Sequence, residues 1–303
     1  MPKLRGTMRT VVMTGATSGL GAVAARYISQ TPDTRLIVGS RGKRVDDAET
    51  ESLDLSRLAS TRAFAQRVCQ LLGDTPIDVL VLNAGLGVTG DSLATEDGYE
   101  TVFATNHLAH YLLLRLFVPH LSPTATVVVT TSDTHDPKIN KLAPPRHAYA
   151  DALALPEAGK GSLGILDSFR AYSSSKLCNL LTARGLAQYG AERGSSVTVV
   201  AYNPGFTPGT GLNRSANRTV RTVMSAVVPV ARRFLHINTV VEAGRVLADL
   251  ALGEVRPPDG RIYASLVRGE LTWPDPAPLA RSDSAMDSLW RDSAALVGLE
   301  PNP

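Results

Sequence analysis

Cysteine is scarce in this sequence of 303 residues, and no hydrophobic run is long enough to cross a membrane. The two cysteines, Cys69 and Cys178, cannot build a disulfide framework and are typical of a reducing compartment. The apolar stretch near the first residues is interrupted by Gly15, Ser18 and Gly19, which is not the pattern of a secretory signal. We therefore expect a cytoplasmic protein with no membrane partner.

An excess of charge of one sign is also lacking. Lys and Arg number 31, Asp and Glu number 28, and the two signs are interspersed, so the net charge is +3. This balance does not indicate a partner such as nucleic acid or an anionic membrane. Hydrophobic residues make up 44% of the chain, enough for a large core, and no repeat or dividing linker is evident. We expect a single domain over residues 1–303.

The first element indicates a phosphate-binding loop. Residues 10–14 form a short β-branched run, Gly15-Ala-Thr-Ser-Gly19-Leu-Gly21 follows at once, and residues 22–29 have a helical pattern. Glycines let the backbone approach a pyrophosphate, and a helix N-terminus offers free N–H groups. An ordinary glycine-rich turn between a strand and a helix is the alternative.

The second predicted strand, residues 36–41, ends in Arg41, with Lys43 and Arg44 behind it. A carboxylate at this point would hold the ribose 2′-hydroxyl of NAD, whereas a guanidinium suits a 2′-phosphate, so the sequence favours NADPH. A solvated basic loop is the alternative. Residues 42–52 are too few for a full crossover helix before the very short third strand, which supplies Asp54.

Helical and apolar extended segments then alternate, with helices predicted over residues 58–72 and 98–116 and strands over 77–82 and 125–130. This alternation predicts an α/β fold, a doubly wound parallel sheet with helices on both faces. Polar and small residues, among them Asn83 and Ser132, follow the strands, where such sheets bind ligands. His107, His110 and His120 are not spaced as metal ligands with carboxylates, so we expect helix-surface roles and no metal site.

Tyr172 and Lys176 form the most reactive pair in the sequence. They open a predicted helix over residues 172–189, and positions i and i+4 lie on one helix face. A fixed ammonium beside a phenol favours phenolate, so Lys176 could bring the pKa of Tyr172 toward neutrality for acid–base catalysis. A tyrosine and a lysine on an exposed turn are the alternative. Cys178, two residues on, is expected to be structural.

Taken together, these motifs resemble those of the short-chain dehydrogenase/reductase family over nearly the whole chain. The matching motifs are Thr14-Gly15-x-x-x-Gly19-x-Gly21, Asp54-Leu55, Asn83-Ala84-Gly85, Asn106, Ser132, Tyr172-x-x-x-Lys176 and Pro204-Gly205. Within the family, four further stretches resemble the retinol dehydrogenase and light-dependent protochlorophyllide reductase branch. They are Asn106-His-Leu-Ala-His, Thr134-His-Asp-Pro137, Ser175-Lys-Leu-Cys-Asn179 and Tyr202-Asn-Pro-Gly205.

The resemblance implies a role for each matched residue. Ser132 would bond the substrate oxygen, Tyr172 would exchange its proton, and Lys176 would lower the pKa of Tyr172 and bind the nicotinamide ribose. Asn106 would mark a helix irregularity whose backbone holds a water that links the lysine to solvent. The expected cofactor contacts are Gly15, Thr17, Ser18, Gly19, Leu20, Gly21, Ser40, Arg41, Asp54, Leu55, Asn83, Ala84, Gly85, Tyr172, Lys176, Pro204, Gly205, Phe206 and Thr210.

The sequence also departs from the branch. Phe206 stands where the protochlorophyllide reductases carry a cysteine after Pro-Gly, which argues against photochemical ring reduction, and the membrane anchor usual in retinol dehydrogenases is not visible. We expect an NADPH-dependent oxidoreductase that interconverts a ketone or aldehyde and an alcohol on a small organic molecule. Reduction of a conjugated C=C bond, and a non-catalytic dinucleotide-binding regulator, are the alternatives.

The segments left for substrate selection are residues 133–169 and 205–235. In the second, Arg214, Arg218 and Arg221 would share a helix face, either as an anion site or as a solvated surface. The C-terminal part predicts a helix over residues 239–252, a last strand over 260–265, a proline-rich connector over 270–278 and a final helix over 282–297. Trp290 and Leu289 are expected to pack on the core or on a neighbouring subunit. Relatives often pair through helices that correspond to 98–116 and 172–189, which suggests a homodimer or homotetramer. Burial of these apolar stripes within one chain is the alternative.

Overall fold

A computed structural model describes residues 8–87, 94–145, 165–208 and 237–301. Within these ranges the strands are β1 (Arg9–Thr14), β2 (Thr34–Ser40), β3 (Glu49–Ser52), β4 (Ile77–Leu82), β5 (Leu121–Thr130), β6 (Thr198–Asn203), β7 (Tyr263–Val267) and β8 (Glu270–Thr272). The helices are α1 (Gly19–Ser29), α2 (Leu58–Leu72), α3 (Thr101–Phe103), α4 (Ala109–Phe117), α5 (Ile165–Glu192), α6 (Val240–Leu252) and α7 (Asp283–Leu296). A π-helical turn, Ala104–Leu108, joins α3 to α4.

The strands form one sheet in the order β3-β2-β1-β4-β5-β6-β7-β8. Every pairing is parallel except β7 with β8, which is antiparallel. Chain order reverses between β1 and β4, so the predicted doubly wound parallel sheet is confirmed, and its switch point lies between these two strands. The predicted last strand is displaced toward β7, and β8 lies inside what was expected to be a connector.

The apolar strands are covered on both faces, as the near-continuous hydrophobic runs predict. Val12 and Leu80 point to the face covered by α2, α4, α5 and α7, whereas Val11, Met13 and Val79 point to the face covered by α1 and α6. Alternate side chains of a strand lie on opposite faces, so each strand contributes to both core clusters. The sheet is thereby held between two helical layers, which fix the positions of the carboxyl ends of its parallel strands.

The short link after β2 differs in detail from the prediction. The third strand is Glu49–Ser52, so residues 41–48 make the connection, and no helix is assigned to them. Leu53 and Leu55 follow the strand and are buried, with Leu53 packed over Gly39 at a distance that leaves no room for a Cβ atom. Asp54 is consequently held just beyond the end of β3, as expected.

The helix predicted over residues 98–116 begins at Thr101 and is broken by the π-turn. The Glu100 carboxylate caps its start, accepting from the N–H groups of Val102 at 2.9 Å and Phe103 at 2.7 Å. The irregularity expected at Asn106 is present, since this residue lies within the π-turn. The surface roles expected for His107 and His110 are wrong, because both side chains are almost completely buried.

The helix that carries Tyr172 is longer than predicted. It runs from Ile165 to Glu192, so Tyr172 lies two turns inside it instead of opening it. No glycine or proline occurs between Ile165 and Tyr172, and an ion pair between Arg170 and Asp167, 2.9 Å long, supports this first part. Lys176 therefore lies in the buried middle part of a long helix.

The end of the chain packs on the core. Helix α6 begins with a capping box made by Thr239 and Glu242, close to the predicted start. Trp290 of α7 is buried, with its ring 5.2 Å from that of Tyr111 in an edge-on arrangement. The buried Arg115 donates to the carbonyl of Glu300 at 2.8 Å. Of the two sites proposed for Trp290, the core is the one observed.

Two buried histidines predict acid-sensitive stability. Burial lowers the pKa of His107 to about 3 and that of His110 to about 4. Between pH 6.5 and these values the unfolded chain binds protons that the folded chain does not, so stability falls as the pH is lowered. From pH 7 to pH 5 each histidine should cost about 2 kcal/mol. We expect His107→Gln to lose less unfolding free energy than wild type in denaturant titrations at these two pH values. His120→Gln, at an exposed position, is the control. The prediction would be contradicted if all three proteins lost the same unfolding free energy between pH 7 and pH 5.

Candidate active site

The glycine loop between β1 and α1 is shaped for a ligand to approach its backbone. Gly15 has φ +72°, and a Cβ atom added at Gly21 would lie 2.0 Å from the carbonyl oxygen of Gly15. Ser18 is the N-cap of α1 but makes no side-chain capping bond. The first N–H groups of a helix have no partner within the helix, so those of α1 are available to an anion.

The Thr14 hydroxyl joins this loop to the end of β4. Thr14 Oγ1 accepts from the N–H groups of Asn83 at 3.0 Å and Ala84 at 3.1 Å. Both of its lone pairs are thereby used, so its hydrogen points to His110 Nε2, 2.9 Å away. His110 Nδ1 then carries the proton and donates to the Asn106 carbonyl at 3.0 Å. Sequence reasoning assigned no role to the side chains of Thr14 and His110, although Thr14 directly follows the three apolar residues 11–13 within β1.

A cavity of about 530 Å³ runs from the glycine loop over the end of β4 to Tyr172 and Lys176. The predicted cofactor residues that line it are Gly15, Thr17, Ser18, Gly19, Leu20, Gly21, Ser40, Arg41, Asp54, Leu55, Asn83, Ala84, Gly85, Tyr172, Lys176 and Pro204. A larger groove of about 1110 Å³ lies at the opposite end of the strands and is lined by none of them. Ligands of such sheets bind at the carboxyl ends, which selects the smaller cavity.

Basic groups lie at the outer end of this cavity. Arg41 is exposed beyond β2, and Lys43 Nζ donates to the Thr17 carbonyl at 3.0 Å, which ties the basic loop to the glycine loop. The Asp54 carboxylate is held locally, accepting from the N–H of Ser56 at 3.1 Å and from its hydroxyl at 2.8 Å. The glycine cradle and these cations fit a phosphate-bearing dinucleotide.

Tyr172 and Lys176 line the inner end of the cavity, and Ser132 lies close to Tyr172 without lining it. Lys176 Nζ lies 5.7 Å from the centroid of the Tyr172 ring. Lys176 Nζ also donates to the Thr130 carbonyl at 3.3 Å. The structure therefore brings together the three side chains that sequence reasoning assigned to proton transfer.

Hydrogen bonds of the Asn106 side-chain amide fix the position of this residue. Its amide nitrogen donates to the carbonyl of Leu86 at 3.0 Å and to Ser175 Oγ at 3.1 Å, and its amide oxygen accepts from the N–H of Leu86 at 2.7 Å. These bonds connect the π-turn to the loop after β4 and to the helix that carries Tyr172. The backbone oxygen of Asn106, which the resemblance assigns to a water, accepts from His110.

Tyr172 and Lys176, together with Ser132, are called the proton-transfer corner below. Burial dominates the titration of Tyr172 and Lys176. Desolvation raises the pKa of Tyr172 to about 12; the nearby Ser132 hydroxyl opposes this rise, and the charge of Asp133 adds to it. Desolvation also lowers the pKa of Lys176 to about 8. The pKa of Tyr172 is thus shifted upward by burial, the direction opposite to the one expected from a neighbouring ammonium.

Three remaining predicted contacts lie elsewhere. Gly205 and Phe206 follow β6 but do not line the cavity, and Phe206 is 42% exposed. Thr210, and with it Arg214, Arg218 and Arg221, lies outside the described residues. Among the residues that are described, His, Cys, Asp and Glu do not form a group of three or more that could hold a metal, and no helix is long and apolar enough to span a membrane.

Comparisons with known proteins agree with this geometry. A family model of short chain dehydrogenases matches residues 9–143. The chain is 30% identical to dehydrogenase/reductase SDR family member 13 of Bos taurus, covering 99% of this chain and 76% of the relative. It is 29% identical to protochlorophyllide reductase A of Hordeum vulgare, and the match covers 98% of this chain and 83% of the relative. A solved structure of an uncharacterized protein from Mycobacterium paratuberculosis is 27% identical and has a TM-score of 0.71. This match covers 98% of this chain and 96% of that chain.

A parallel sheet whose switch point carries a dinucleotide cradle beside a buried proton-transfer corner defines an NAD(P)-dependent oxidoreductase. The chain belongs to the short-chain dehydrogenase/reductase family. Its relatives fall in the retinol dehydrogenase and protochlorophyllide reductase branch, as the sequence motifs predicted. Members of this family act on small molecules.

The Thr14 hydroxyl provides a direct test of how the site is held. Thr14→Val would leave the N–H groups of Asn83 and Ala84 unpaired, and each such buried donor costs about 1–3 kcal/mol. We expect a lower free energy of unfolding and weaker NAD(P)H binding, measured by denaturant and fluorescence titrations. Thr14→Ser keeps the hydroxyl and is the matched control. If the two variants behaved alike, the hydroxyl would not be the tie that we describe.

Proposed function

We propose that the protein is an NADPH-dependent reductase of a ketone or aldehyde on a small or medium-sized organic molecule. The observation that supports this most is that Tyr172 and Lys176 line the cavity together, with Ser132 close to Tyr172. Two hydroxyl groups that converge beside a dinucleotide cradle can bind one substrate oxygen and protonate it.

Bound NADPH would supply the hydride, and the chain would supply orientation and the proton. Tyr172 would protonate the oxygen as it becomes alkoxide-like, and Ser132 would hold that oxygen by a hydrogen bond. Lys176 would stabilise the phenolate that remains. Because burial raises the pKa of Tyr172 to about 12, the phenol keeps its proton at neutral pH. A protonated donor supports reduction over oxidation of the alcohol.

The basic loop supports a preference for NADPH over NADH. Arg41 and Lys43 lie at the wall of the cavity just after β2, where an acidic residue would select the ribose 2′-hydroxyl of NAD. Lys43 is anchored to the glycine loop through Thr17, so a positive charge is held at this end.

Reduction of a conjugated C=C bond is the second candidate. The similarity to proteins named protochlorophyllide reductase favours it, whereas Phe206 in place of a cysteine argues against the same photochemistry. Mass spectrometry of products from a panel of enones separates the two. A gain of two hydrogens with the carbonyl still present would identify C=C reduction.

A single domain, cytoplasmic location and homo-oligomeric assembly stay predictions.

Removing the Tyr172 hydroxyl tests the proposed acid. We expect Tyr172→Phe to lower kcat for carbonyl reduction about 100-fold or more, since positioned proton transfer contributes that much, with NADPH affinity nearly unchanged. Tyr189→Phe on the same helix is the control, because its hydroxyl bonds Asp287 away from the cavity. Activity would be followed as loss of NADPH absorbance. Substantial activity in Tyr172→Phe would refute the mechanism.

Removing the Arg41 guanidinium tests the cofactor preference. A lost hydrogen bond to a charged group costs about 1.5–3 kcal/mol, so Arg41→Ala should weaken NADPH binding about tenfold or more and leave NADH binding nearly unchanged. Separate titrations of the two cofactors measure this. Arg44→Ala, which removes an exposed cation that does not line the cavity, is the control. An unchanged NADPH-to-NADH ratio in Arg41→Ala would show that the 2′-phosphate binds elsewhere.

A further inference from the structure

The turn that follows β6 forms the part of the cavity wall next to the proton-transfer corner. Pro204 lines the cavity together with Tyr172 and Lys176. Gly205 continues the turn with φ +65°, a conformation that favours glycine, and its N–H donates to the side-chain oxygen of Asn203 at 2.9 Å. The position of this wall therefore depends on what holds Pro204 and Gly205 from behind.

The side-chain amide of Asn238 holds this turn on its buried side. Its nitrogen donates to the carbonyl of Pro204 at 2.9 Å and to that of Leu266 at 2.7 Å. Its oxygen accepts from the N–H of Gly269 at 2.9 Å. Both hydrogens of the amide are thereby used, and the residue is 1% exposed. One side chain thus connects the turn after β6 to the end of β7 and to the hairpin between β7 and β8.

The backbone of Asn238 is attached to the same turn. Its N–H donates to the carbonyl of Phe206 at 3.0 Å, and Ile237 forms a parallel β-bridge with Phe206. Thr239, the next residue, begins α6 through its capping box with Glu242. Because the chain is fixed on both sides of Asn238, the amide is a rigid support for the turn.

The close packing on this amide explains why glycine occupies position 205. A Cβ atom added at Gly205 would lie 2.5 Å from Nδ2 of Asn238 and 2.6 Å from the carbonyl oxygen of Leu266. Both distances are well below van der Waals contact, so the turn rests directly on the amide. Any side chain at this position would push the wall at Pro204 away from its support.

We propose that Asn238 is a positioning residue for the nicotinamide end of the bound cofactor. A dinucleotide with its phosphates on the glycine loop would extend its nicotinamide to the inner end of the cavity, where Pro204 forms the wall beside Tyr172. Asn238 does not line the cavity, so it acts through Pro204 and not by direct contact. The proposal rests on the proposed function only in that a nicotinamide cofactor binds in this cavity.

This role affects the orientation of the cofactor more than its affinity. Hydride transfer depends strongly on orientation, because a misplacement of about 1 Å can cost about 100-fold in rate. Affinity comes largely from charge-assisted hydrogen bonds to the phosphates at the glycine loop and the basic loop. Among the described residues, Asn238 bonds neither of these loops. Loss of its amide should therefore loosen the nicotinamide and leave the affinity nearly unchanged.

The first experiment tests the support without cofactor. Amide hydrogen exchange of residues 203–207 is followed by mass spectrometry in the wild type and in Asn238→Ala. We expect exchange about fivefold faster or more in the variant, since the Pro204 carbonyl loses a hydrogen bond that stabilises the turn. Thr272→Val is the matched control, because it removes a hydrogen bond to Ser265 in the same hairpin. Unchanged exchange in Asn238→Ala would overturn the proposal.

The second experiment separates orientation from affinity. NADPH is titrated into each protein, and the time-resolved fluorescence anisotropy of the bound nicotinamide is recorded at saturation. In Asn238→Ala we expect a fast component of local motion that the wild type lacks, with Kd within about threefold because the phosphate contacts remain. Thr272→Val should match the wild type in both quantities. If the decay of Asn238→Ala were unchanged, or if Thr272→Val gained the same fast component, the positioning role would be refuted.

Gly205→Ala provides an independent test, which also decides if Asn238→Ala does not fold. The added Cβ atom pushes the turn off an intact amide, so this variant should show the same fast anisotropy component. In the double variant, residues 203–207 should exchange no faster than in the faster single variant, because both changes break one support. Wild-type anisotropy in Gly205→Ala, or exchange effects that multiply in the double variant, would contradict the proposal.

Failure of the positioning role is distinguishable from failure of the proposed function. A wild type that binds neither NADPH nor NADH would contradict both. A wild type that binds NADPH and reduces carbonyl compounds, with the same anisotropy decay in Asn238→Ala, would remove the positioning role alone. If the wild type bound NADPH but reduced no carbonyl compound, the proposed reaction would fail, and the anisotropy decay would still decide the role of Asn238.

Discussion

The hydrogen bonds of the Thr14 hydroxyl join the parts of the molecule that carry its chemistry. The hydroxyl accepts from two backbone N–H groups after β4 and donates to His110 in α4. Asn83, fixed in this way, donates to the Gly15 carbonyl and accepts from Thr130 at the end of β5. The carboxyl ends of three neighbouring strands are thus locked together. The glycine loop and the proton-transfer corner keep their spacing because both are attached to this one hydrogen-bond network.

Low polarity around the corner sets the protonation states. Burial moves each titratable group toward its neutral form, raising the pKa of Tyr172 and lowering those of Lys176 and His110. A neutral His110 can accept from Thr14 and donate to Asn106 at the same time, which a charged imidazole cannot. The structural bonds and the chemical roles therefore depend on the same exclusion of water.

The alternation of apolar strands and helices was sufficient to predict the sheet and its ligand-binding edge. Long elements such as α2 and β4 were predicted to the residue, because their hydrophobic periodicity is strong. Where burial overrides local pattern, prediction failed. His107 and His110 look like surface residues by type, yet hydrogen bonds to Ser293 and Thr14 allow both to be buried. The direction of the pKa shift of Tyr172 depends on how much water surrounds it, which spacing along a helix does not reveal.

The contacts of the last helix bear on how the chain reaches this structure. His107 in the π-turn bonds Ser293, and Arg115 in α4 bonds the carbonyl of Glu300, so both elements make contacts with residues about 186 positions further along the chain. Contacts at such separation form late, because closing a long loop costs entropy before any contact compensates for it. During synthesis, β1, the glycine loop and β4 leave the ribosome well before α7 can cover α4. Tyr111, which packs against Trp290 of α7, therefore stays uncovered until the last helix has been synthesised, and this uncovered surface is open to aggregation and to binding by a chaperone.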